Sequence, residues 1–73
     1  MQDLDDEIMQ AHASDDRHRL CTLYLKAGEV KEAAGEIDAA CFLFTQAYVY
    51  GLETGNEDRA KVQARLIAYG RER

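Results

Sequence analysis

The chain has 73 residues, 47% hydrophobic and 32% charged, with fourteen acidic against nine basic residues and a formal charge of −5. That length holds a single domain, 1–73, and the acidic balance argues against a nucleic-acid or membrane-surface partner, both of which need a basic footprint. Cys21 and Cys41 form neither a CxxC nor a disulfide framework, and the opening MQDLDDEIMQ is acidic where a targeting segment would be basic, so a reduced cytoplasmic protein is expected.

The spacing predicts four helices. The first spans 3–13: Asp3 caps it, Asp5, Asp6 and Glu7 suit the positive end of the helix dipole, and Leu4, Ile8 and Ala11 form a one-sided apolar stripe. Ser14-Asp15-Asp16 is a run of turn and capping residues that ends it. A second helix spans 16–34, with Leu20, Leu23, Tyr24 and Ala27 at helical spacing. Gly28 falls inside it. A glycine costs about 1 kcal/mol against alanine in a helix, too little to break one, so the helix should continue to Gly35 with Gly28 as a point of close approach.

The third helix, 36–54, contains Ile37 to Leu52, in which twelve of sixteen residues are apolar or tyrosine and none is basic. Such a run is too short and interrupted to cross a bilayer and predicts burial on more than one side. Gly55 stops it, Asn56 caps a fourth helix over 57–69, and that helix carries two apolar stripes, Ala60/Ala64/Ile67 and Val62/Leu66/Tyr69. There is no proline and no linker-like stretch.

The turns at Ser14-Asp15-Asp16, Ala34-Gly35-Glu36 and Thr54-Gly55-Asn56 recur every twenty residues. Behind each, Leu20, Ala40 and Ala60 share a column, as do Tyr24, Phe44 and Ala64. Short loops between rods of similar length force antiparallel neighbours, so the fold class is an all-α antiparallel helical hairpin array. Gly35-Glu36 followed by Ala40, Phe44 and Ala47 resembles the second half of a tetratricopeptide repeat. In the same register Tyr24 and Gly28 fall on the first-helix signature, while Ala27 and Lys31 depart from it and the terminal proline is missing. The resemblance covers Thr22 to about Thr54 and implies that Ala40 packs against Gly28. It also implies peptide binding by the first-helix face, here Thr22, Leu25, Glu29 and Glu32. Two of those four are acidic, so a basic peptide suits that face better than a C-terminal carboxylate; the alternative is a solvated amphipathic face.

Other chemistry is thinly represented. His18 and Cys21 share a helix face and His12 lies near the preceding turn, but one such pair is too few for a metal site. Cys21 and Cys41 are offset by about 12 Å along a hairpin turning at Gly35, beyond bridging distance. Phe42, Phe44, Tyr48 and Tyr50 could line a ligand cavity, yet an aromatic-rich central helix is ordinarily core. With no phosphate loop, nucleophile elbow or HExxH motif, no enzyme activity and no cofactor are expected. The expected partner is a protein, or a second copy of the chain. Phe42, Leu43, Val49 and Tyr50 are left to meet the terminal helices or another subunit.

Overall fold

The computed structural model describes residues 3–71, which form α1 (Leu4–Ala13), α2 (Arg17–Ala33), α3 (Ile37–Thr54) and α4 (Asp58–Ala68), with no strand among the described residues. Each boundary lies within a residue of the one expected. The caps explain why: an Asp3 carboxylate oxygen accepts the Asp6 N–H at 2.9 Å, and Asp16 does the same for Arg19 at 3.2 Å. Gly35 and Gly55 close α2 and α3 in left-handed conformations, φ +80° and +69°, where a side chain would be strained.

α2 and α3 form the central antiparallel hairpin, with α1 against α2 and α4 against α3 and, less extensively, α2. The extents are 33 × 27 × 14 Å, a slab two helix layers thick. The main core joins α2, α3 and α4 through Leu25, Ala40, Cys41, Phe44, Ala47, Val62 and Leu66. A smaller cluster, Ala11, Leu20 and Leu23, seats α1, with Leu4, Ile8, Tyr24 and Tyr50 packed around it. A fully buried side chain such as Phe44 or Leu66 stabilises the fold by about 1.5–3 kcal/mol.

One expectation is corrected here, the extension of the repeat phase to the last helix. α2 runs unbroken through a buried Gly28, and the Phe44 ring fills the space over it: a Cβ built on Gly28 would lie 2.5 Å from that ring. The twenty-residue phase holds on α2 and α3 and fails on α4, where Ala60 and Ala64 are exposed while Val62 and Leu66 are buried. The reason is volume, because the valine–leucine stripe removes more apolar surface from water than the alanine stripe. α3 is buried on more than one side, as expected: it packs on α2 and α4, and Tyr50 reaches the α1 cluster. Phe42 (64%), Val49 (45%) and Leu52 (55%) remain exposed.

Candidate functional site

The first-helix face that resemblance marks for peptide binding is closed by the chain's own last helix. Leu25 is in the main core. The Thr22 hydroxyl donates to Asp58 at 2.7 Å. Arg65 spans both acidic residues, donating to Glu32 at 2.6 Å and Glu29 at 2.9 Å, and its guanidinium lies 5.8 Å from the centroid of the Phe44 ring. The Tyr69 hydroxyl also donates to Glu32, a bond that holds the phenol above its ordinary ionisation range. Thr22, Leu25, Glu29 and Glu32 are therefore the seat of α4, with the Glu29 side chain still 44% exposed. The sequence pattern could not say which side α4 takes.

The α3–α4 turn is fixed by Asn56, which is buried although it sits in a loop. Its amide donates to the His18 carbonyl at 2.7 Å and to the Thr22 hydroxyl at 3.3 Å, and its oxygen accepts the Asp58 N–H at 2.8 Å. It stands one residue before the cap position of α4, so it does the capping from upstream and also ties the turn to α2.

The feature open to a ligand lies on the opposite flank. α1 is shorter than the hairpin it rests on. It leaves a groove of about 580 Å³ floored by Tyr24, Ala27, Val30 and Leu43 and walled by Leu4 and Ile8 of α1. Asp3 and Asp5 stand at its α1 rim and Lys31 at its α2 rim. Lys31 is engaged by Glu36 at 3.5 Å, so the carboxylates set the sign of the rim. At the far end of α1, His12 Nε2 and the Tyr24 hydroxyl are 2.9 Å apart, and the Tyr24 and Tyr50 rings stack at 5.9 Å with the His12 ring edge-on to both. Burial, and after it the neighbouring Tyr50, push the Tyr24 phenol above its usual range. Of the side chains expected to meet terminal helices or another subunit, Leu43 lines this groove and Tyr50 joins the stack, while Phe42 and Val49 face solvent.

Cys21 and Cys41 are both buried free thiols. Burial, with Asp58 nearby, raises the Cys21 ionisation range, which removes the thiolate character a nucleophile needs. Tyr48 packs partly buried against the main core. Among the described residues no helix is long and apolar enough to cross a membrane.

Comparison of the chain with protein-family models, with curated proteins and with solved structures finds no match.

Proposed function

We propose that the chain is a non-enzymatic protein-interaction module, tetratricopeptide-like in its helix order, that acts in the cytoplasm. It takes a short amphipathic segment carrying basic residues into the groove between α1 and the α2–α3 hairpin. The carrying observation is that groove: an open, mainly apolar trough with two carboxylates, Asp5 and the α1 cap Asp3, at its α1 rim. Apolar side chains of a partner would displace water from Leu4, Ile8, Ala27 and Leu43, which gives affinity, and a lysine or arginine near the α1 rim would fix orientation. Buried, unpaired cysteines support a reducing compartment.

The test is an amide chemical-shift titration with a short synthetic amphipathic helix of leucine and lysine. Perturbations should centre on Leu4, Ile8, Ala27, Val30 and Leu43. Val30 is 60% exposed, so Val30→Glu should leave the fold intact by circular dichroism while weakening the peptide at least about tenfold. Perturbations scattered over the acidic surface, or undiminished affinity of Val30→Glu, would overturn the reading.

A further inference from the structure

The three turns between helices are one backbone motif used three times. In each, an N–H reaches back five residues to a helical carbonyl: Asp16 to Ala11 at 2.8 Å, Glu36 to Lys31 at 2.9 Å and Asn56 to Gly51 at 3.2 Å. In each, the residue before that donor is left-handed, with φ +53° at position 15, +80° at 35 and +69° at 55. Glycine fills the last two positions at no steric cost, whereas Asp15 carries a side chain into that region, where its Cβ crowds the following carbonyl. Asp15 is the only non-glycine residue of positive φ among the described residues. The first turn is also the least anchored. The α3–α4 turn is tied to α2 by Asn56, but the side chains of Ser14, Asp15 and Asp16 bond only to Gln10, Ala11, Arg17 and Arg19, in the helix ends beside them.

We propose that the α1–α2 turn is a hinge through which two copies of the chain exchange α1, straightening Leu4–Ala33 into one continuous helix in each. Ser14, Asp15 and Asp16 include neither glycine nor proline, so nothing in them forbids the helical state, and Asp15 leaves the left-handed region on entering it. The fused rod is about 45 Å long. Ala11 packs with Leu20 while Leu4 faces Val30 across the groove, so α1 runs antiparallel to α2. Two fused rods lying antiparallel about a two-fold axis therefore set the α1 of each beside the α2 of the other. Every contact named as seating α1 is made to the hairpin: the Ala11, Leu20 and Leu23 cluster, His12 to Tyr24, and Glu7 to Arg19. Each is made again between copies, so the exchange covers the surface that the monomer already covers and needs no further patch. It gives up the Asp16 cap on the Arg19 N–H and gains the relief at Asp15 and helical bonds across the turn, which leaves concentration to decide between the forms. In the exchanged form Leu4 and Ile8 of the second copy wall the groove floored by Tyr24, Ala27 and Leu43, so the partner completes that site. The exchange does not depend on the groove taking a peptide.

Two substitutions at one position test the hinge. Asp15→Gly and Asp15→Ala both remove the carboxylate that pairs with Arg17, but glycine favours the left-handed turn and alanine the straight helix. In sedimentation equilibrium from micromolar to millimolar concentration, the wild-type mass should rise from 8.3 kDa toward twice that value. Asp15→Ala should tighten the dimer at least about tenfold and Asp15→Gly should weaken it at least about tenfold, with helicity by circular dichroism retained in both. In a dimer refolded from equal parts of isotope-labelled and unlabelled chain, filtered nuclear Overhauser contacts between Ala11 and Leu23 should cross from one copy to the other. A mass fixed at 8.3 kDa for wild type and Asp15→Ala alike, equal association of the two variants, or Ala11–Leu23 contacts confined within each chain of the dimer overturns the proposal. Failure of the peptide titration alone would leave each of these outcomes unchanged.

Discussion

α1 and α4 flank the same hairpin but are held to it by different means. α1 rests on a patch of three buried residues, Ala11, Leu20 and Leu23, helped by the exposed His12–Tyr24 bond and a 3.5 Å ion pair between Glu7 and Arg19. α4 inserts Val62 and Leu66 into the main core and adds Arg65 on two carboxylates, Tyr69 on Glu32, Arg71 on Asp38, and Asn56 pinning the turn before it. Exposed ion pairs contribute little, about 0–1 kcal/mol. The difference therefore rests on the two fully enclosed aliphatic side chains and on the buried amide. α4 is therefore expected to belong to the cooperative unit and α1 to open first, which would suit a helix forming one wall of the proposed binding groove.

The sharpest way to break the comparison is Leu66→Ala. It should cost about 2–5 kcal/mol of global stability in denaturant unfolding, because the site sits among α2, α3 and α4 and cannot easily collapse. Ile8→Ala, by contrast, should lower hydrogen-exchange protection in α1 while leaving α3 and α4 near their wild-type values. Equal loss of protection everywhere would erase the distinction. Next comes Asn56→Ala. Removing this buried amide leaves the His18 carbonyl and the Asp58 N–H without their side-chain partner, at about 1–3 kcal/mol, measured by the same unfolding midpoint.

The smallest expected effect is a dependence on pH. The Tyr69 phenol is held above its ordinary range chiefly by the bond to Glu32. Its contribution is thus complete below about pH 10, where unfolded tyrosine ionises, and is lost as pH rises through the higher folded value. Tyr69→Phe should flatten the alkaline part of the stability profile without changing it at neutral pH by more than the loss of one hydrogen bond.

The turns were legible because their chemistry is local. Asp3, Asp16, Gly35 and Gly55 each answer a requirement set by the backbone within a few residues. Gly28 was legible as a close approach for the same reason, but the Phe44 ring that fills the space over it was not: placing that ring requires the axial offset of two helices, which no single residue encodes. The face of Thr22, Leu25, Glu29 and Glu32 was misread at the same level. An amphipathic pattern with two glutamates fits solvent, peptide and a docked Arg65 equally well. Only the competition between the two stripes of α4 decides, and the larger side chains prevail. The groove escaped notice because it depends on α1 being too short to cover Ala27, Val30 and Leu43, a property of lengths in three dimensions and not of any motif.

The thinness of the molecule has one more consequence. With a shortest extent of 14 Å, most of its helix faces border solvent. A partner in the proposed groove would lie against the chain, half in water, with its selectivity set by the outline of a face and the signs along an edge.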